Sequence, residues 1–276
     1  MGTGNAGLWR EARLTQMAGK VDVSIDGGVA TVTLDSPGKL NAVSVAMWQG
    51  LARVFDEIGD AESLRVIVIR GAGGNFAAGA DIEEFDRVRH DPSSGRQYHL
   101  ETIGNALAAV DRCPVPLIAA IEGVCVGGGL EIASLCDIRL AADTARFGVP
   151  IGRLGFPLAL PELVPLLRLV GPAVAAEMLL ESRILSADEA EVRRLVTRVV
   201  PTASFETELQ LCITHIAAGS PLAARQNKAN IRRFQSRGLD YTAHELDESF
   251  AFLDSHDYHE GVRAFLAKRP PNFLGK

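Results

Sequence analysis

The chain has 276 residues, of which 47% are hydrophobic and 22% charged, and its formal net charge is −6. This is ordinary globular composition with enough apolar residues for a large core, and the acidic balance argues against nucleic-acid binding, which usually requires a basic face. Residues 1–19 lack the apolar core of a secretory signal and are expected to form a flexible arm. No uninterrupted apolar stretch of the sequence is long enough to span a bilayer, so a soluble protein without a membrane or nucleic-acid partner is expected.

The cysteines indicate a reducing compartment. Cys113, Cys125, Cys136 and Cys212 lie in or beside apolar runs and include no C-x-x-C pair. Free cysteine in such places behaves as a small core residue. Neither the cysteines nor the six histidines have the spacing of metal ligands, so a cytoplasmic protein without a metal is expected.

The N-terminal part is predicted to form a hairpin, a helix and a buried strand. Residues 21–26 and 29–35 alternate between apolar and polar around Gly27-Gly28, which is typical of a β-hairpin. Apolar residues recur at helical spacing over 45–59. Residues 65–71 follow as a buried strand, and the glycine-rich loop GAGGNFAAGADI comes directly after it.

The rest of the chain repeats strand, small-residue loop and helix. Residues 86–97 are polar and predicted to be irregular, and residues 98–112 are predicted to be helical. The stretches PLIAAIEG and DIRLAA are predicted core strands separated by a glycine-led helix, and RFGVP is a predicted short edge strand. From residue 160 onward one helix follows another. The pattern predicts an α/β body with a helical C-terminal part.

Two familiar phosphate-binding motifs fail on the loop after the first buried strand. A G-x-G-x-x-G motif beginning at Gly71 requires a third glycine where Phe76 stands. A G-x-x-x-x-G-K motif fits Gly74 and Gly79, but Ala80 replaces the lysine. A nucleophile elbow of the G-x-S-x-G type is also absent from the sequence.

A second glycine-bearing loop, VGGGLE, also follows a buried strand and leads into a helix. If that helix begins at Gly127, the Gly128 N–H lacks an intrahelical acceptor and suits a developing negative charge. Glu131 lies three residues later, hence on the same helix face. This predicts an oxyanion site with an acid/base beside it. The alternative, an exposed first-turn acid that favours the helix dipole, fits less well between Leu130 and Ile132.

The segments FAAGADI, PLIAAIEGVCVGGGLEIASLCDIRLAADTARFGVP and EGVRAFLAKRPPNF resemble the crotonase superfamily, the enoyl-CoA hydratase/isomerase family. The resemblance runs from about residue 21 to the C-terminus. It implies an α/β fold in which a spiral of ββα units occupies residues 20–200. Residues 201–276 would then form a C-terminal helical region that mediates assembly of a homotrimer or of a hexamer built as a dimer of trimers.

The resemblance implies an acyl-CoA substrate and no cofactor beyond the coenzyme A of that thioester. The backbone N–H groups of Ala80 and Gly128 would form the oxyanion hole. Glu131 would be the acid/base that helps activate the water attacking the β-carbon. The residues that match the family's CoA-binding surface are Lys39, Leu40, Ala42, Ala78, Asp81, Ile82, Phe265 and Lys268. In some members the last two reach CoA from a neighbouring subunit; for Lys268 a solvated helix-end lysine is the alternative.

One catalytic position departs from the family pattern. The second family glutamate follows the proline of F-x-x-P-E, and here Ile151 stands in its place. Phe156 makes the following loop more apolar, so both residues are predicted to line the acyl pocket. Two outcomes for hydration are then open: Glu131 alone supports a slow or altered reaction, or another group supplies the second proton site, for which Glu101, His99 and Asp86 are candidates.

The simplest function is therefore that of a hydro-lyase acting on a 2-enoyl-CoA. Isomerisation, hydrolysis or decarboxylation of another acyl-CoA is the alternative among enzymes. A non-catalytic acyl-CoA-binding protein is favoured by Ile151 and opposed by Glu131. A dinucleotide-binding oxidoreductase is a distant third.

Overall fold

The computed structural model describes residues 19–59 and 61–276, apart from the side chain of Arg237. The strands are β1 (Lys20–Asp26), β2 (Val29–Asp35), β3 (Val66–Gly71), β4 (Leu117–Ile121), β5 (Val124–Val126), β6 (Ile138–Ala142), β7 (Arg146–Gly148), β8 (Ile184–Ser186) and β9 (Arg198–Val200). The helices are α1 (Val45–Ile58), α2 (Phe85–Val88), α3 (Pro92–Gln97), α4 (Gly104–Arg112), α5 (Gly128–Ser134), α6 (Leu160–Leu180), α7 (Ala187–Val192), α8 (Phe205–Ala217), α9 (Pro221–Arg237), α10 (Ala243–Glu248) and α11 (His256–Leu266). The arm predicted at 1–19 lies, except for Gly19, outside the described residues.

The main sheet has the strand order β1-β2-β3-β4-β6-β9. The first two strands are antiparallel and form the predicted hairpin, whose turn residues Gly27 and Gly28 have φ of 53° and 85°. Positive φ at both turn positions matches the right-handed twist of the strands and suits glycine. Every later neighbour pairs in parallel, so the carboxyl ends of β3 and β4 point to the same edge.

Alternate residues of the sheet face two separate cores. Val66, Val68 and Ile118 pack against the apolar face of α8. Ile67 and Ile69 instead join the larger core beneath α1 and α4. A strand that is buried on both faces reads as a continuous apolar run, which explains why residues 65–71 and 116–123 were recognisable.

The small sheet has the order β5-β7-β8 and corrects two predictions. The strand β7 was expected at an edge, but it pairs with β5 in parallel on one side and with β8 antiparallel on the other. The region after residue 160 was expected to be helical, but it also supplies β8 and β9. β8 and β9 are each three residues long, which is too short for an alternating pattern to distinguish them from the helical sequence around them.

The polar segment 86–97, predicted to be irregular, is mostly helical. Its second helix, α3, has Pro92 in its first turn and a reciprocal capping box between Asp91 and Ser94. A single widened turn, Tyr98–Ile103, then joins α3 to α4. The prediction of an irregular segment was wrong because it rested on the polar composition of these residues. The sequence D-P-S-S within them is a capping signal that favours the start of a helix.

The helix α6 is 21 residues long and contains an 18-residue window with a mean hydropathy of 1.7, so by length and composition alone it is able to cross a membrane. It is, however, broken at Gly171, where φ is 74° and ψ is 172°. The pieces 160–170 and 172–180 measure roughly 16 and 14 Å at 1.5 Å per residue. Each is shorter than the hydrocarbon core of about 30 Å.

The last strand of the described residues ends at Val200, and helices α8 to α11 follow it. Their role in oligomerisation, and the division of the chain at residue 200, stay predictions.

Candidate active site

The loop 76–82 is held between two other segments by backbone hydrogen bonds. The Ala77 N–H donates to the Val124 carbonyl at 2.9 Å, and the Val126 N–H donates to the Ala77 carbonyl at 3.0 Å. On the other side, the Val43 N–H donates to the Gly79 carbonyl at 2.7 Å. These bonds bring the loop after β3 against the start of α5.

Glycine is required where the two loops meet. Gly79 and Gly127 have φ of 98° and 49°, and a Cβ on Gly127 would lie 3.4 Å from the Cα of Gly79. A Cβ on Gly128 would lie 3.7 Å from the Ala80 nitrogen, so the two predicted oxyanion residues are neighbours in space. Neither the Ala80 nor the Gly128 N–H donates to a protein acceptor in the part of the chain that the structure describes.

Substitution of Gly128 by alanine is expected to destabilise the fold by about 1–3 kcal/mol, the usual cost of overpacking. The added Cβ would lie 2.8 Å from Cζ2 of Trp48, which is fully buried and has little room to move. Urea denaturation measures the loss. The control is Gly95→Ala in α3, where a Cβ meets nothing within 4 Å and alanine favours the helix. Equal stability of the two variants would contradict the close approach.

Glu131 is buried, with 8% of its surface exposed, and its Oε2 has no hydrogen-bond partner. Burial raises the pKa of this carboxyl well above its ordinary value of 4.5. The negative charge of Glu162 raises it further, and the positive charge of Arg89 acts in the opposite direction. The protonated form of Glu131 is therefore favoured, as it is for a carboxyl that is desolvated beside a second carboxylate.

Glu162 is the second buried carboxylate of the site, with 3% of its surface exposed. His99 Nδ1 lies 2.5 Å from Glu162 Oε1, and His99 Nε2 lies 2.6 Å from Arg89 Nη2. Arginine has donors only, so Nε2 accepts from Arg89 and the ring proton is on Nδ1. The chain of hydrogen bonds from Arg89 through His99 gives Glu162 the partner that Glu131 lacks.

The raised pKa of Glu131 predicts a pH-dependent gain of stability in Glu131→Gln. A carboxyl whose pKa rises on folding gives the folded state more protons than the unfolded state, so wild-type stability falls as the pH rises above the unfolded value of 4.5. Glutamine does not titrate. The difference in unfolding free energy, variant minus wild type, is expected to grow as the pH rises above about 4.5. Urea denaturation across this range measures it, and a constant difference would contradict the raised pKa.

One pocket unites most of the predicted catalytic and acyl-pocket residues. Its lining includes Ala80, Gly128 and Glu131, together with Ile151 and Phe156. Of the three candidates for a second proton site, only His99 lines this pocket. Asp86 and Glu101 are exposed and lie outside its lining, so the structure does not bring them to Glu131.

Sequence reasoning missed Glu162, which also lines the pocket. The available signal was the one that singled out Glu131: a lone glutamate in an apolar run, here LALPELVPLL. The candidates predicted from sequence for the second proton site, Asp86, His99 and Glu101, all lie within residues 86–101 and therefore do not include Glu162.

Residues 24–276 match the model of a protein family described as enoyl-CoA hydratase/isomerase. The chain belongs to this family. It is 36% identical over 255 residues to a probable enoyl-CoA hydratase from Mycobacterium bovis, covering 91% of this chain and 96% of the relative. It is 32% identical over 265 residues to the peroxisomal Delta(3,5)-Delta(2,4)-dienoyl-CoA isomerase of Arabidopsis thaliana, covering 90% of this chain and 93% of that protein.

Solved structures agree with this family membership. A crystal structure of an enoyl-CoA hydratase/carnithine racemase from Magnetospirillum magneticum is 46% identical, with a TM-score of 0.91. The match covers 95% of this chain and 98% of that one. The predicted α/β crotonase-type fold, with helices at its C-terminal end, is thereby confirmed.

The residues that match the family's CoA-binding surface fall into two groups. Ala78 and Ile82 line the pocket. Leu40, Ala42 and the Lys39–Asp81 ion pair (2.7 Å) lie on the adjoining loops, outside the lining. Lys39 also donates to Glu83 at 2.9 Å, so its charge is already compensated.

The C-terminal pair lies apart from the pocket of its own chain. Phe265 is 84% exposed at the end of α11, and Lys268, also exposed, follows with φ of 52°. Neither lines the pocket. Their contact with CoA, from this or a neighbouring subunit, stays a prediction.

Proposed function

We propose that the protein is a hydro-lyase that adds water across the double bond of a trans-2-enoyl-CoA. The observation that carries the proposal is the unpaired, buried Oε2 of Glu131 in a pocket that also contains Glu162 and the free amides of Ala80 and Gly128. An unpaired buried carboxyl is costly, and its retention beside a second carboxylate fits proton transfer to a bound substrate.

The two free amides are suited to the thioester oxygen. As water adds to the β-carbon, negative charge moves through the α-carbon onto this oxygen, and two N–H donors fixed in the backbone stabilise it. Each such donor is worth about 2.7–4 kcal/mol in comparable acyl chemistry. Because the donors belong to the backbone, they need no particular side chain at position 80.

The two carboxyls are suited to the two proton transfers. Hydration takes one proton from water and delivers one to the α-carbon. Because burial raises the pKa of Glu131 and so favours its protonated form, we assign Glu131 as the donor to the α-carbon and Glu162 as the acceptor of the water proton. Glu162 thus supplies a second carboxyl in place of the one missing at Ile151, while Glu131 performs the α-carbon step. This assignment differs from the family-based expectation that Glu131 acts on the water.

Isomerisation of the acyl double bond is the second candidate. The same two carboxyls can remove a proton from one carbon and return it to another without the addition of water. The similarity to a dienoyl-CoA isomerase favours this candidate, because that protein is 32% identical to this chain over 265 residues.

The test is incubation of the purified protein with short- and long-chain trans-2-enoyl-CoA, followed by the absorbance of the conjugated thioester and by chromatography of the products. Formation of a 3-hydroxyacyl-CoA supports the proposal. A product with a shifted double bond and no added water would replace it by isomerisation. Tight binding of the thioester without turnover would indicate an acyl-CoA-binding protein.

A further inference from the structure

The guanidinium of Arg89 is held between two aromatic rings in the wall of the pocket. Its Cζ lies 4.4 Å from the ring centroid of Phe85 and 4.0 Å from that of Phe156. The two rings also contact each other edge to face, with centroids 6.0 Å apart. These two cation–π contacts hold the charged group in the pocket wall, and all three residues line the pocket.

Arg89 has hydrogen-bond donors to spare. It donates to His99, and no carboxylate of the described residues forms a direct ion pair with it. Its neighbour Arg87, by contrast, pairs with Glu84 at 2.7 Å. The acidic groups that face Arg89 are Glu162, which it reaches through His99, and Glu131, whose pKa is raised.

Arg89 is half-buried in the pocket wall, and this burial lowers the pKa of its guanidinium. A desolvated cation with unused donors gains most from an anion that can accept two parallel hydrogen bonds. A carboxylate has this geometry. The remaining side chains of the wall are mainly apolar and suit a methylene chain: Ile82, Ile103, Ile151, Leu154 and Leu158.

We propose that Arg89 recognises a carboxylate at the distal end of the acyl group, so that the substrate is a CoA half-thioester of an unsaturated dicarboxylic acid. This inference rests on the proposed function, because it places an enoyl thioester in the same pocket. The thioester oxygen lies at Ala80 and Gly128, the methylenes lie along the apolar wall, and the distal carboxylate accepts from the guanidinium.

The experiment compares two short trans-2-enoyl-CoA thioesters that differ only at the distal end, where one carries a carboxylate and the other the isosteric primary amide. In wild type, kcat/KM for the carboxylate is expected to exceed that for the amide by about 10- to 100-fold, the range of a charge-assisted hydrogen-bonded pair. In Arg89→Met the ratio is expected to fall to about one. Any change in catalysis that Arg89→Met causes through His99 affects both thioesters equally, so activity on the amide thioester serves as the internal reference.

The matched control is Arg96→Met, which removes an exposed arginine of α3 that lies outside the pocket lining and is expected to keep the wild-type ratio. A wild-type ratio near one, or a ratio that survives Arg89→Met, overturns the inference. Calorimetric binding of the saturated carboxylate and amide thioesters separates the two proposals. If no enoyl thioester is turned over but binding still favours the carboxylate in an Arg89-dependent way, the hydratase proposal fails and the inference stands.

Discussion

Replacement of Glu131 by glutamine is expected to lower kcat for trans-2-enoyl-CoA hydration by about 10²–10⁴-fold, the usual contribution of a positioned acid or base. Glutamine has nearly the same shape as the protonated carboxyl that burial favours at this position, so the pocket should keep its form. The thioester should therefore bind to the variant with little change in affinity. Single-turnover kinetics and calorimetric binding of the saturated acyl-CoA measure the two quantities separately.

Folding provides the control for this variant. Its thermal unfolding should be as cooperative as that of wild type, and at neutral pH its stability should be equal or higher. Retention of more than about a tenth of the wild-type kcat would exclude Glu131 as a proton donor in the rate-determining step.

Replacement of Glu162 by glutamine is expected to lower the same kcat by about 10²–10⁴-fold. The amide oxygen can still accept from His99 Nδ1, so the hydrogen bond at 2.5 Å remains possible while the negative charge is lost. Because that charge raises the pKa of Glu131, the variant should also titrate Glu131 at lower pH than wild type. Infrared spectra of the protonated carboxyl stretch, followed against pH and compared with Glu131→Gln, measure this shift.

Glu101→Gln is the matched control, since it removes an exposed carboxylate from a segment that also carries His99. It should leave both kcat and the titration of Glu131 unchanged. Wild-type activity in Glu162→Gln would mean that Glu162 has only a packing role and that the second proton comes from elsewhere.

Much of the fold was predictable because long elements carry strong patterns. The helix expected over 45–59 occupies Val45–Ile58, with Ser44 capping it, and the strand expected over 65–71 occupies Val66–Gly71. The central place of β7 in its sheet was not predictable, because a three-residue strand does not show how many neighbours it has. The break in α6 at Gly171 was predictable, because the pair Gly171-Pro172 is typical of a point where one helix ends and another begins.

The part of the site that lies within one short segment was predictable, and the part that depends on residues distant in sequence was not. The glycines directly before Glu131 indicate a close approach of the backbone to a ligand or to another segment. The meeting of Glu131 with Glu162 depends instead on the path between β7 and α6, which includes a short 3₁₀ turn, Pro150–Leu154, and a left-handed Gly155 with φ of 80°. The position that Glu162 reaches after this irregular segment cannot be predicted from a single sequence.

The order of strands in the main sheet has a consequence for how the protein is made. From β1 to β9 each strand is added beside one that precedes it in the chain, with no later strand inserted between two earlier ones. As the polypeptide leaves the ribosome, every strand of this sheet can dock on an edge that already exists, and the growing edge is always the newest strand. We expect the nascent chain to fold progressively from its N-terminal hairpin. The growing edge ends at the three-residue strand β9, which offers little backbone for pairing with another chain, and the seven-residue strand β1 is the terminal strand at the opposite side of the sheet.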